Sequence, residues 1–272
     1  MKLLDELKIK EKKYIIFDMD GTLIDSIGVW NMTDQKLIEE YAGKTIDLDF
    51  IQAERDSFLH SNQDSEIYLA YWEYLIKKYG FSIHNAEELL KRRWDKSGEI
   101  LESEMDFKPD VPQLILRLKQ LGFILILATM TTQVQIDIYS KKNKKMLEQM
   151  DISQVFDLIT RKEDVKNKKP DPEIYKKIMR HYNATPDECL IFEDSYTGVL
   201  ASKNAGIEVV NIYDKYADLD RDKINEMADY CIDNYGQFLE FLNYIFSSQF
   251  NIQLSKQKKL NKGVGSNEWK QN

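Results

Sequence analysis

Short apolar runs that stop abruptly at polar residues constrain this chain more than any other feature. YIIF stops at Asp18, FILILA at Thr129 and CLIF at Glu193-Asp194, and each run is only long enough for a buried strand. Around them the apolar residues change to helical spacing. VPQLILRLKQLG closes at Gly122, a helix is expected from about residue 133 to 150, and PEIYKKIMRHY, YTGVLASKNAG and QFLEFLNYIF follow. Further strands are expected in FDLIT, IEVVNIY and DYCI. Continuous apolar strands alternating with helices imply a parallel sheet, because such strands need cover on both faces and right-handed helical crossovers supply it.

One block breaks the alternation. From about residue 27 to 96 the apolar positions recur only at helical spacing, as in Trp30, Leu37, Ile38 and Tyr41, then Ile67, Tyr71, Tyr74 and Leu75. The expected organisation is an α/β core made of residues 1–26 and 97–254, interrupted by an all-helical module at 27–96. Residues 255–272 have no periodicity and are expected to be disordered.

Composition then narrows the function. The 38 Lys+Arg against 46 Asp+Glu give a net charge of −8, which argues against nucleic acid as a partner. No apolar run approaches the ~20 residues of a membrane span, and the charged start MKLLDELKIKEKKY lacks a signal peptide's apolar segment. A cytoplasmic protein without membrane partners, monomeric or weakly dimeric, is expected. Cys189 and Cys231 each open a short apolar stretch and read as reduced strand residues. The three histidines lie too far apart in sequence for zinc-ligand spacing.

Ligands of open parallel sheets bind beyond the carboxyl ends of the strands. The residues there are Asp18-Met19-Asp20-Gly21-Thr22, Thr129-Met130-Thr131-Thr132 and Glu193-Asp194-Ser195, with Lys168-Lys169-Pro170-Asp171-Pro172 in a loop. Four carboxylates on one rim would raise one another's pKa unless a cation compensates. Hard oxygen donors suit Mg²⁺, and a lysine with hydroxyls beside it suits an anionic, phosphorylated small molecule. Taken singly, such residues have plain structural readings. Asp171 and Ser195 read as helix caps, Gly198 as a close-approach position, and Gly21 and Thr22 as shapers of a turn. Asp25 and Ser26 read first as a hinge or cap, and Trp30 as packing first and pocket wall second. Arg55, Arg92 and Arg93 are candidates for a distal anionic group of the substrate, while Tyr68, Tyr71, Trp72 and Tyr74 read mostly as packing.

FDMDGTLIDS, a hydrophobic strand ending in Thr129, KKPDP and CLIFEDSYTGVLASKNAG occur in that order over about residues 14–245. Together they resemble the haloacid dehalogenase-like superfamily, in its phosphatase and β-phosphoglucomutase-like branch. The resemblance implies a Rossmannoid core with an inserted helical cap and a Mg²⁺-dependent phosphatase that acts on a small phosphate monoester through an aspartyl-phosphate. It implies Asp18 as nucleophile and Asp20 as general acid and base. Lys169 would neutralise charge, with Lys168 as the adjacent choice, and Thr129 and the Met130 N–H would grip the phosphoryl oxygens. Mg²⁺ would be held by Asp18, the backbone carbonyl of Asp20 and Asp194, with Glu193 either a ligand or a supporting group. Dehalogenases of the superfamily lack an acid at the position of Asp20. A phosphonatase needs a cap lysine, for which the first cap helix offers only Lys36. The alternative is a phosphosugar mutase, but mutases carry a cap histidine where Trp30 stands.

Overall fold

The computed structural model describes residues 4–61 and 66–247, so the expected tail at 255–272 lies outside the described residues. Six strands, β1 (Tyr14–Phe17), β2 (Ile124–Ala128), β3 (Leu158–Thr160), β4 (Cys189–Glu193), β5 (Glu208–Ile212) and β6 (Tyr230–Ile232), form one sheet. Their order is β3-β2-β1-β4-β5-β6, and every pairing is parallel. The chain leaves β1 toward β2 on one side and later returns to β4 on the other, which makes the carboxyl end of β1 the switch point where a crevice opens.

Successive strand residues face opposite sides of the sheet, and two cores follow from that alternation. On one side Ile15, Phe17, Leu127 and Phe192 pack with Leu114 and Leu118 of α5 (Val111–Gln120) and with Phe238 and Leu242 of a helix at 235–247. On the other, Ile16, Ile126 and Ile191 pack with Ile174, Tyr175 and Ile178 of α9 (Glu173–Tyr182) and with Val199 of α10 (Tyr196–Asn204). Gly122 ends the α5 segment as expected, at φ +86°.

Between β1 and α5 lie α1 (Val29–Ala42), α2 (Leu48–Ser61), α3 (Ile67–Tyr79) and α4 (Ala86–Ser103). They carry a core of their own in which Leu37, Ile38, Tyr71, Trp72, Leu75 and Leu89 are buried. Helix α4 continues unbroken through residue 96 to Ser103, and its far end, Ile100 and Leu101, joins the sheet's core instead. One helix therefore serves both cores. No helix among the described residues is long and apolar enough to cross a membrane.

The single helix expected over 133–150 is divided. Gln133–Asp137 (α6) passes into a wider turn over Ile138–Lys142, and the chain breaks at Asn143 before Lys144–Gln149 (α7). Asn143 is the physical reason. Its side-chain oxygen caps Met146 N–H, and its amide donates to the carbonyls of Leu101 and Met105 at the end of α4. A short helix, Ile152–Val155 (α8), then leads into β3.

Candidate active site

The sheet register assembles the site. Phe17 pairs with Leu127 on one side and with Phe192 on the other. One residue further on, Asp18, Ala128 and Glu193 therefore arrive at the same rim. Lys169, carried by the loop between β3 and α9, spans that row: its Nζ lies 2.7 Å from Asp18 Oδ1, 2.5 Å from Glu193 Oε1 and 3.2 Å from the Ala128 carbonyl. Its side chain is only 5% exposed and passes over the Tyr175 ring. Lys168 is exposed, so of the two lysines it is Lys169 that touches the carboxylates.

Glu193 is clamped from behind. Its second oxygen accepts the N–H of Asp194 and of Ser195 and the Ser195 hydroxyl, at 3.0–3.2 Å. Ser195 in turn caps α10 through Gly198 N–H, as expected. A Cβ at position 198 would overlap the Glu193 carboxylate. Gly198→Ala is therefore expected to lower Tm, with a cost of about 1–3 kcal/mol for forcing atoms into a filled space. An unchanged Tm would refute this packing argument.

Asp194 is fixed by Thr22, whose hydroxyl donates to Oδ1 at 2.7 Å, so Thr22 does more than shape a turn. Gly21 has φ +80°, and a Cβ there would strike the Asp194 carboxylate. Asn211 Nδ2 donates to the backbone carbonyls of Glu193 and Asp194 and is itself held by Arg221.

Asp18, Glu193 and Asp194 are all buried and offer carboxylate oxygens within 4.8 Å of one another. Burial pushes the Asp18 carboxyl up to about 7, against the pull of Lys169 and with the charges of Glu193 and Asp20 adding to the rise. Burial likewise raises Asp194 well above the ordinary carboxylate range, reinforced by Glu193 and Asp18. Burial works against the charged form of Lys169, but the two carboxylates it touches outweigh that and hold it firmly protonated.

The Asp20 carboxylate stands outside this triplet in a ring of hydroxyls. Ser26 donates to Oδ1 at 2.5 Å, Tyr139 donates to the same oxygen at 3.3 Å, and Thr131 donates to Oδ2. Thr129, 1% exposed, receives Thr131 N–H on its hydroxyl. Met130 packs partly buried on the α9 face of the core. Of the smaller expectations, Asp171 caps Glu173 N–H, and Ser26 contacts the site. Tyr139 and Asn211 join the site without a motif to mark them. Tyr139 reaches Asp20 from the widened turn, and Asn211 lies in the fifth strand, where a buried polar residue following two valines is the available signal.

Known proteins resemble this chain in sequence and in fold. The haloacid dehalogenase-like hydrolase family matches residues 15–212. The chain belongs to that family. It is similar to the phosphorylated carbohydrates phosphatase of Thermotoga maritima, 30% identical over 71% of this chain and 82% of the relative. It is also similar to the glyceraldehyde 3-phosphate phosphatase of Pyrococcus furiosus, 26% identical over 85% of this chain and 92% of the relative. Among solved structures, a Thermotoga maritima protein provisionally named a β-phosphoglucomutase superposes with a TM-score of 0.62 at 26% identity, covering 81% of this chain and 94% of that one. The expected enzyme class, a phosphoric monoester hydrolase of the haloacid dehalogenase-like family, agrees with these relatives.

Proposed function

We propose that this haloacid dehalogenase-like enzyme is a Mg²⁺-dependent phosphatase of small phosphate monoesters, working through an aspartyl-phosphate on Asp18. The observation that carries the reading is the row Asp18–Lys169–Glu193 beside Asp194: three buried carboxylates against one ammonium. That excess of negative charge, with hard oxygen donors, fits a small hard dication. Asp18, Asp194 and the backbone carbonyl of Asp20 would hold it. Glu193 has one oxygen on Lys169 and the other on three donors, so in this reading it orients Lys169 and supports the metal from behind. The bound ion would neutralise charge on the phosphoryl oxygens.

An Asp18 oxygen bonds to phosphorus in line with the departing alcohol, and the ester P–O bond breaks. Asp20 passes a proton to the leaving alkoxide and later takes one from the water that cleaves the acyl phosphate, releasing inorganic phosphate. The hydroxyls of Ser26, Thr131 and Tyr139 hold Asp20 in place for both transfers. Lys169 offsets charge on Asp18 and on the phosphoryl group. Thr129 and the Met130 N–H would steady the phosphoryl oxygens. Helices α1–α4 form the cap, whose opening admits substrate and whose closure excludes water.

The test is phosphate release from a panel of sugar phosphates, phosphoglycolate and nucleotides, with Mg²⁺ and with EDTA. Release that EDTA abolishes is expected; none from any panel member by folded protein would reject the reading. The neighbouring mutase reading draws on the β-phosphoglucomutase-like relative. Against it, Trp30 lies under the Arg93 guanidinium, 4.4 Å from its ring centre, and packs edge-on to Trp94, so that position holds no proton carrier.

The same site predicts a pH dependence. The Asp18 carboxyl is raised from its ordinary 3.8 to about 7. Stability from its protonated form is therefore present below about pH 4 and lost as pH rises through about 7. A dication that favours the ionised form reverses the loss. Mg²⁺ is expected to raise Tm more at about pH 8 than at about pH 5.5, and an equal shift at both would contradict the site.

A further inference from the structure

A cavity of about 560 Å³ opens among the helices of the insert, between Trp30 of α1, Arg55 of α2, Tyr68 of α3, and Arg93 and Trp94 of α4, over two leucines. We infer that this cavity receives a flat heteroaromatic ring with carbonyl acceptors on its edge, making nucleoside monophosphates the favoured substrate class. The inference rests on the phosphatase reading above and narrows it.

Position ties the cavity to the chemistry. Ser26, whose hydroxyl holds Asp20, accepts Val29 N–H in the turn that starts α1, and Trp30 follows within one helical turn. Trp30 thus stands about one helical turn beyond Ser26, and in this inference the group attached to the departing alcohol at Asp20 reaches toward it.

Shape and polarity then select the group. The indoles of Trp30 and Trp94 meet edge-on at 5.1 Å, and Trp94 and Tyr68 are 62% and 48% exposed. Exposed aromatic faces of this kind stack on flat rings, and every nucleobase has such a face. Arg93 is stacked on Trp30 and held by both oxygens of Asp34, a fully buried carboxylate. Arg55 approaches one of the same oxygens at 3.4 Å. Among the described residues two guanidiniums thus share one carboxylate, which leaves a positive excess and further N–H donors at the wall. Indole and guanidinium groups donate only, and among the described lining side chains the Tyr68 hydroxyl is the single acceptor. A sugar's hydroxyls could accept these N–H groups, but they would leave their own hydrogens with few side-chain acceptors and would present no flat face to the indoles. A base with carbonyl oxygens presents what the wall lacks.

The experiment compares kcat/KM for uridine and inosine monophosphates with that for ring-less glycerol phosphate and for a hexose bisphosphate, in wild type and in Trp94→Ala. The residue is exposed, so its removal spares the fold; Arg55→Gln serves as a second variant. Wild type is expected to prefer the nucleotides, and Trp94→Ala to lower the ratio of nucleotide to glycerol phosphate by roughly tenfold or more. Arg55→Gln should lower the same ratio, chiefly through KM. Glycerol phosphate hydrolysed as well as the nucleotides, or a ratio unmoved by either variant, would overturn this inference and leave the phosphatase reading standing. Preference for the bisphosphate would overturn it in favour of a distal anion. Absence of hydrolysis from every substrate would instead reject the phosphatase reading itself.

Discussion

Asp18→Asn is expected to lower kcat by at least about 10⁴-fold, a loss of roughly 5 kcal/mol in transition-state stabilisation. The amide has nearly the shape of the carboxylate but cannot serve as the oxygen nucleophile. Phosphate-monoester hydrolysis without a catalyst is slow enough that residual activity from binding alone would be hard to detect. The fold should survive. Asp18 is a buried carboxyl whose pKa burial has pushed up to about 7, so replacing it removes a charge that the site bears at a cost. Tm at about pH 8 without metal should stay level or rise. A variant that keeps more than a few per cent of wild-type turnover would remove Asp18 from the nucleophile's role. A large fall in Tm would assign the lost activity to unfolding.

Lys169→Met should damage both properties at once. Lys169 is the shared counter-ion of Asp18 and Glu193, at 2.7 and 2.5 Å, and its side chain is only 5% exposed. Removing one partner of a buried ion pair typically costs about 3–5 kcal/mol, because the charges left behind are neither paired nor hydrated. For a chain of this size that corresponds to a fall in Tm of roughly 10 °C. Turnover should drop by about 10²–10³-fold from the lost charge stabilisation. Mg²⁺ should restore part of the stability but little of the rate, since a dication relieves the carboxylates without replacing the ammonium's reach to Ala128 and Glu193. If Tm is unchanged and metal has no effect on it, the three carboxylates are not the coupled cluster described here.

Much of this site is legible in the sequence because its residues sit at strand ends. A strand must be apolar where the sheet is covered on both faces and can turn polar only at its rim. Asp18, Thr129 and Glu193-Asp194 therefore announce themselves as the last residues of apolar runs, and parallel pairing makes them neighbours. Ser195 and Asp171 are readable for a similar local reason, since capping acts over three residues. Gly198 is readable as a close-approach position, but what it makes room for, the Glu193 carboxylate, is not.

Long-range side-chain contacts are not legible in this way. Tyr139 reaches Asp20 across a separation of 119 residues, from a widened turn that exists because Asn143 breaks the helix to bind the end of α4. Asn211 and Thr22 join the site by hydrogen bonds that no spacing rule encodes. The helical block is recognisable from its periodicity, yet its expected edge at residue 96 falls inside α4, because periodicity reports which face of a helix is buried and not which core buries it. The sequence by itself determined the parallel α/β core, the helical insert and the chemical character of the strand-end residues, all consequences of local pattern and burial. The tertiary structure alone decided that Lys169 and not Lys168 completes the row, that three hydroxyls hold Asp20, and that two guanidiniums share Asp34 behind an aromatic cavity. Those depend on where side chains from distant segments meet, and that is settled only when the whole chain packs.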